Sequence, residues 1–248
     1  MEFKSRGQAK RLTGLNYLGS VSLTYKHQKS IKFGEYTYSL YLSPGNNSGY
    51  EVCPGRTKEC SKYCLNESGF NKMSMNEERI NQSRIQKTKL FFEDKDFFMN
   101  WLVYEINLAK AKAEKKGFKF SVRLNNTSDI NPEEFVLNGK NILQIFPDIQ
   151  FYDYTKVFDR HKLVKKYPNY DLTYSYTGHN KELCKKMLLM GIRVAVVFKK
   201  VPTEFWGVQV INGDESDLRY KDNNSTIVGL KYKNVREKLT ESVKFVVQ

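Results

Sequence analysis

The feature that most constrains the fold is an alternation of strand and helix patterns in the second half of the chain. Four short segments rich in β-branched and aromatic residues are predicted as strands: Phe118–Leu124, Ile149–Tyr154, Asp171–Tyr176 and Arg193–Phe198. Segments with helical or irregular patterns separate them. Because strands joined by such crossovers usually lie parallel, the pattern predicts an α/β fold. We expect an open sheet or a partial, distorted parallel β/α barrel similar to a TIM barrel.

The remaining segments extend this core in both directions. Further strands are predicted at Phe33–Leu42, Val208–Ile211 and Ile227–Lys233. The length of 248 residues allows one large α/β domain or two small ones, and we expect a single domain. Its predicted parts are a basic N-terminal β-rich extension (1–50), a metal-binding cysteine loop (51–70) and a βα core (118–233).

Two helices are predicted between the cysteine loop and the βα core. Asn71–Thr88 is polar, and we expect Arg79, Arg84 and Lys87 to be exposed on it. Lys95–Lys116 carries Phe, Trp and Leu at helical spacing, which indicates a core-facing helix.

Three of the four cysteines, Cys53, Cys60 and Cys64, lie within twelve residues. A disulfide would use two of them, whereas thiolates are soft ligands that suit zinc or an iron–sulfur cluster. Structural zinc sites usually have closer pairs and a fourth ligand, which the six-residue gap and the isolated histidines do not provide. The three cysteines therefore predict a metal centre with one open position, for which an iron–sulfur cluster, zinc and no metal all stay as alternatives on the spacing alone. Cys184 is predicted as a core residue of the helix 180–191.

In parallel βα folds the functional side chains follow the carboxyl ends of the strands. Arg123 and Lys156 follow two strands and suit phosphate or carboxylate groups. Asp129 and Asp214 are suited to accept hydrogen bonds from a ribose or an amine, and Lys199 and Lys200 follow the fourth core strand. The candidate catalytic residues are Arg123, Asp129, Tyr154, Lys156, Ser175, Asp214, Asp217 and Arg219. The candidate cofactor-binding residues are Asn125, Ser128, Tyr176 and Lys231. A turn tied by local salt bridges is the alternative for the segment Asp214–Arg219.

The charge balance indicates a polyanionic partner. The formal net charge is +14, with a sequence pI near 9.4. Nucleic acid is the commonest polyanion in a cell, although a lysine-rich composition with no such partner is the alternative. No apolar stretch approaches 18 residues and no signal peptide is evident, so we expect a cytoplasmic protein without a membrane partner.

An ordered set of motifs resembles the phage gene-product-88-like family and covers residues 36 to 233. The motifs are Cys53-Pro with Cys60-x3-Cys64, Ser121–Asp129 (SVRLNNTSD), Phe151–Lys156 (FYDYTK), Leu172–Ser175 (LTYS), Val194–Phe198 (VAVVF), Gly213-Asp214 with Asp217-Leu-Arg219, and Ile227–Lys233 (IVGLKYK). The resemblance implies a phage or prophage protein, located in the host cytoplasm, with an iron–sulfur centre on a partial barrel similar to the radical S-adenosylmethionine enzymes. The cysteine spacing differs from the x3-then-x2 pattern that those enzymes usually have, and no glycine-rich segment follows Phe118–Leu124.

Two main hypotheses for function arise from these patterns. The first is a radical-SAM-like or redox enzyme that binds a [4Fe-4S] cluster and S-adenosylmethionine and acts on a nucleotide or nucleic acid. The second is a non-catalytic nucleic-acid-binding module in which the metal centre is a structural or redox-sensing element, with tyrosines such as Tyr154 and Tyr176 stacking on bases. A zinc-containing protein with a phage-specific partner is a third alternative.

Overall fold

A computed structural model describes residues 1–21, 25–64, 77–233 and 244–248, although for 25–27 it describes the backbone alone. The protein is mixed α/β with a large, mostly parallel sheet. The chain divides into two compact units. Unit 1 contains Met1–Cys53 and Glu78–Asp153, and unit 2 contains Pro54–Glu77 and Tyr154–Gln248.

In unit 1, the strands of the large sheet follow the order β1, β2, β3, β6. The pair β1 and β2 is antiparallel, whereas β2 with β3 and β3 with β6 are parallel. The strands are β1 (Gly19–Ser20), β2 (Glu35–Leu40), β3 (Lys119–Arg123) and β6 (Gln150–Thr155), which begins in this unit. The helices are α1 (Arg6–Thr13), α2 (Tyr25–Lys32), α4 (Glu77–Glu93) and α5 (Lys95–Lys115).

Local sequence accounts for the helix boundaries in unit 1. Ser5 caps α1 and Asp94 caps α5 through side-chain oxygens that accept backbone N–H groups, and Gly14 ends α1 in the left-handed region. Helix α5 buries its Phe, Trp and Leu stripe, as predicted. The crossover from β3 to β6 is short and irregular. It consists of a 3-10 turn (Pro132–Glu134), the hairpin β4 (Val136–Leu137) and β5 (Lys140–Asn141), and α6 (Ile142–Ile145).

In unit 2, the strand order is β7, β8, β11, β10, β9, with β12 also paired to β8. The strands are β7 (Tyr170–Ser175), β8 (Arg193–Phe198), β9 (Glu204–Phe205), β10 (Val208–Asn212), β11 (Ile227–Lys231) and β12 (Val246–Val247). The helices are α3 (Lys58–Lys62), α7 (Lys162–Lys166) and α8 (Lys181–Leu189), with 3-10 turns at Phe158–His161 and Arg219–Lys221. Cys184, Met187, Val194 and Phe198 belong to its apolar core, so Cys184 is the core residue that the sequence predicts.

The α/β class and the mainly parallel sheet are confirmed, and the partial, distorted TIM-like barrel stays a prediction. Among the described residues, β1 in unit 1 and β9 in unit 2 are short strands at an edge, and each is antiparallel to its neighbour. The expected β-rich N-terminus is wrong, because α1 and α2 supply most of its regular structure. The predicted helix 71–88 is observed from Glu77 onward, and residues 71–76 lie outside the described residues. No helix among those described is long and apolar enough to span a membrane.

Candidate functional sites at the carboxyl ends of the strands

Asn125 organises the loop that follows β3 in unit 1. Its backbone N–H and side-chain amide donate to the Asp153 carboxylate at 2.7 and 3.1 Å, and the amide also donates to the Ile130 carbonyl at 2.9 Å. Its Oδ1 accepts from the Ser128 hydroxyl and the Ile130 N–H, both at 2.8 Å. Asn125 is 2% exposed and Asp153 is 1% exposed. The network is therefore internal, and its members hold the loop rather than present donors to solvent.

Cys53 lies against this same loop. The Gly45 N–H donates to its Sγ at 3.4 Å, and the Sγ is 4.0 Å from the Thr127 carbonyl oxygen. The neighbouring Val52 carbonyl accepts the Asp129 N–H at 2.7 Å. The structure thus places Cys53 beside the loop after β3, which contains the candidate residues Ser128 and Asp129. Arg123 is the last residue of that strand and is half-buried.

The rest of the cysteine motif belongs to unit 2, where it lies beside residues that follow β6 and β7. A Cβ built on Gly55 would be 2.8 Å from the Lys156 Cβ, so only glycine allows this approach. Glu59 on α3 accepts from His179 at 3.3 Å, and a backbone hydrogen bond together with His179 lowers the pKa of Glu59. Thr57 caps α3 by accepting the Cys60 N–H at 3.1 Å.

The cysteines of the motif are partly accessible, whereas Cys184 is not. Cys53, Cys60 and Cys64 are half-buried, and none of the four is in a disulfide. Burial raises the pKa of the Cys184 thiol to about 12, so it is a poor ligand and nucleophile. Among the described residues, no group of three or more His, Cys, Asp or Glu side chains is arranged to hold a metal ion. The three-cysteine site therefore stays a prediction from the sequence.

A basic cleft lies at the carboxyl ends of β8, β10 and β11 in unit 2. It is a half-open depression of about 500 Å³, and the charged residues among the described ones that line it are Lys199, Lys200, Lys231 and Asp214. The three lysines are exposed. In open parallel sheets ligands bind outside the carboxyl ends of the strands, so the cleft occupies the position expected of a binding site.

The Gly213-Asp214 pair fixes one wall of this basic cleft. A Cβ at Gly213 would be 2.5 Å from the Val228 Cγ1, and the Gly213 N–H donates to the Gly229 carbonyl at 2.8 Å. The Asp214 Oδ2 accepts the Lys231 N–H at 2.9 Å. The turn therefore needs glycine for its close approach to β11, and it holds the carboxylate beside Lys231.

Asp217 and Arg219 do not join that cleft. Both are 1% exposed, and the Arg219 Nη1 lies 3.1 Å from the Asp222 carboxylate. The 3-10 turn of Arg219 packs against β7, and the Arg219 charge acts on Asp171 near the start of that strand. Because β10 and β11 are parallel, the chain must return to the amino ends of the strands between them. This position supports the alternative of a turn tied by local ion pairs.

Tyr176 and Ser175 of unit 2 make local contacts. Tyr176 packs edge-to-face on Trp206 with ring centroids 5.2 Å apart, and its hydroxyl donates to the Gly178 carbonyl at 3.1 Å. Burial raises the pKa of Tyr176. The Ser175 carbonyl accepts from the Asn180 side chain at 3.1 Å. Tyr154 is half-buried on β6.

For Arg84 and Lys87 on α4, the prediction of exposed side chains is wrong. Both were expected on an exposed helix face, but they are 7% and 4% exposed. With Thr88 and Phe91 they form the buried face of α4. These four residues are spaced i, i+3, i+4, i+7, which is the spacing of a helix face that packs against the core. The spacing could have predicted their burial, even though two of the four are cationic.

The chain was compared with protein-family models, with curated proteins and with solved structures, and the first comparison gives a match. The family model described as Gene product 88 matches residues 4–246. No curated protein and no solved structure is found to match the chain.

Proposed function

The chain belongs to the Gene product 88 family, and from this premise we propose that it binds the phosphate groups of a nucleotide or nucleic acid through the basic cleft. The observation that carries the proposal is the convergence of Lys199, Lys200 and Lys231 on one cleft at the carboxyl ends of three parallel strands. The resemblance to the phage gene-product-88-like family is confirmed, since the match spans nearly the whole chain.

The charges of the cleft suit a phosphate-bearing ligand. The described lining residues include three exposed lysines and one aspartate, and lysines act as point charges that neutralise phosphates without a fixed geometry. The net charge of +14 adds a long-range attraction for polyanions. Asp214, held beside Lys231, is suited to accept a hydrogen bond from a sugar hydroxyl or an exocyclic amine.

The test is binding of labelled single-stranded DNA and RNA oligonucleotides by fluorescence anisotropy, as a function of salt. We expect replacement of Lys199 and Lys200 together by Gln to weaken binding at least about tenfold, and to reduce the slope of log K against log salt by about 1.4. The matched control is Lys185→Gln with Lys186→Gln, an exposed adjacent pair on α8 with the same change in net charge. Equal losses in both double variants would assign binding to net charge and contradict the cleft.

A second candidate function is the iron–sulfur enzyme, with a radical-SAM-like partial barrel and S-adenosylmethionine as its finer features. It is favoured by the contacts of the cysteine motif: Cys53 lies beside the loop after β3 within unit 1, and Gly55 and Glu59 contact residues after β6 and β7 within unit 2. The described side chains, however, contain no ready set of three ligands. The three-cysteine cluster therefore stays a proposal from the sequence, and no catalytic step is assigned to it.

Metal analysis after anaerobic purification tests this second candidate. Broad visible absorbance with about four irons and four sulfides per chain would establish the cluster, and we then expect Cys60→Ser to abolish it and Cys184→Ser to leave it intact. One zinc and no visible absorbance would exclude the radical chemistry. Loss of metal in Cys184→Ser as complete as in Cys60→Ser would contradict the three-cysteine assignment.

A further inference from the structure

The basic cleft of unit 2 has an apolar side as well as a charged one. Val201, Pro202 and Val210 line it together with the lysines, and all three are half-buried, so part of each side chain stays accessible. We call these three residues the apolar wall. The lysines account for the attraction of a polyanion, but phosphate groups make no use of an apolar surface. The apolar wall therefore points to an uncharged part of the same ligand.

Gly229 makes room for the apolar wall. It lies on β11 two residues before Lys231, and therefore on the same face of the strand. A Cβ built on Gly229 would be 2.5 Å from the Val201 Cγ1 and 2.7 Å from the Val210 Cγ1. The two valines thus come together over Gly229, on the face of β11 that also carries Lys231. The apolar wall and a cation of the basic cleft are therefore neighbours.

The core of unit 2 holds the apolar wall in place. Val201 and Val210 pack against the apolar cluster that contains Val194 and Phe198. Val210 is also fixed in β10, where its N–H donates to the Thr203 carbonyl at 2.9 Å. A surface that is formed before the ligand arrives costs little conformational entropy on binding. The wall is thus suited to accept a rigid, flat group.

Resting on the proposed function, we propose that the basic cleft holds an unpaired nucleotide of a single-stranded nucleic acid, with its base on the apolar wall and its phosphates at the lysines. The flat faces of bases are covered by neighbouring base pairs in a duplex, whereas a single strand can present them to a protein surface. Three lysines suit successive phosphates of a strand. The volume of about 500 Å³ is in the range of small-ligand sites, and the half-open shape lets the strand continue beyond the cleft.

The first experiment changes the ligand and leaves the protein intact. A labelled single strand of about ten nucleotides is bound to the full chain and followed by fluorescence anisotropy at one salt concentration. The competitors are the same strand unlabelled, an abasic strand with the same number of phosphates, and a duplex of the same length. We expect the abasic strand and the duplex to bind at least about tenfold more weakly than the single strand, because neither offers a base face to the wall.

A protein variant assigns this effect to the apolar wall. Val210→Thr keeps the branched shape of valine and every charge of the cleft, but it places a hydroxyl on the wall. We expect the ratio of single-strand to abasic-strand affinity to fall at least about threefold, with the slope of log K against log salt unchanged because the lysines remain. The control is Val208→Thr. Val208 is half-buried on the same face of β10 and is not among the described residues that line the cleft, so the ratio should not change.

The outcomes separate this inference from the proposed function. Equal binding of the abasic strand and the single strand, or an equal ratio in Val210→Thr and the wild type, would overturn the base site. The phosphate-binding cleft would still stand if Lys199→Gln with Lys200→Gln weakened binding more than its control pair. Equal losses in the two lysine pairs would overturn the cleft, and the base site with it. A duplex bound as tightly as the single strand would overturn the choice of an unpaired nucleotide.

Discussion

The two units use the carboxyl ends of their parallel strands in opposite ways. In unit 1 the polar residues after β3, above all Asn125, bond with one another and with Asp153 in the interior. In unit 2 the residues after β8 and at the end of β11 are exposed lysines that line a cleft. The carboxyl ends of the strands therefore carry an internally bonded loop in unit 1, whereas in unit 2 they carry an exposed cleft that could hold a ligand.

The difference between the two units arises from the side chains that follow each strand in the sequence. In unit 1, Asn125 has both donors and acceptors, so it can satisfy the turn that brings Ser128 and Ile130 back to the strand end. In unit 2, Lys199 and Lys200 have only donors on long stems, and no buried acceptor holds their ammonium groups in the described residues. A substitution should accordingly reduce stability in the first case and binding in the second.

The largest effect should come from Asn125→Ala. It would leave the Ser128 hydroxyl, the Ile130 N–H and Asp153 with fewer partners in a buried site, at a cost of about 4 kcal/mol in the free energy of unfolding. Lys231→Ala in unit 2 should change that free energy by less than about 0.5 kcal/mol. Urea unfolding measures both, and similar losses in the two variants would remove the contrast between the units.

A smaller effect should appear in the pH dependence of Lys87. Its folded pKa of about 8 lies below the usual 10.5, so the unfolded chain binds more protons between these values. The stability of the wild type should then rise relative to Lys87→Met as the pH increases from about 8 to about 10.5, by up to about 3 kcal/mol. Urea unfolding of both chains at pH 7, 9 and 10 measures the difference, and a constant difference would contradict the burial of a charged Lys87.

A still smaller effect is expected at Gly213 in unit 2. An alanine Cβ would overlap the Val228 and Leu230 side chains, and relief of that overlap should cost about 2 kcal/mol of unfolding free energy. The control is Gly7→Ala on α1, where a Cβ meets nothing closer than 3.9 Å and alanine favours the helix. Thermal unfolding of both variants and the wild type measures the effect. A Tm of Gly213→Ala equal to or above that of the wild type would show that the wall of the cleft can shift without cost.

Much of the parallel sheet was predictable because its strands are buried runs with strong local patterns. Arg193–Phe198 has the predicted bounds, and Lys119–Arg123 and Tyr170–Ser175 differ from the predictions by one residue at each end. The residues just after the strands were predictable for the same reason, which is why the sequence alone identifies Lys231 and Asp214, two residues of the basic cleft.

Other features depend on tertiary structure that local patterns do not reveal. The return of the chain between β10 and β11 carries Asp217 and Arg219 to the amino ends, and this can be inferred only once the two strands are known to be parallel neighbours. The cationic face of α4 is buried by its packing on the segment after β2, which overrides its polarity. The antiparallel end strands β1 and β9 are two residues long, too short for a sequence pattern.

The close approach of Gly55 to Lys156 has a consequence for changes in chain length. Among the six residues between Cys53 and Cys60, Gly55 lies against Lys156 just after β6. This contact divides the segment into one part before Gly55 and another after it. An inserted residue between Gly55 and the cap Thr57 would shift α3 and Cys60, while Gly55 would keep its contact. An insertion before Gly55 would instead have to move that contact itself. The spacing of the cysteine motif is therefore determined by the fold at Gly55, and insertions on its two sides should be tolerated unequally.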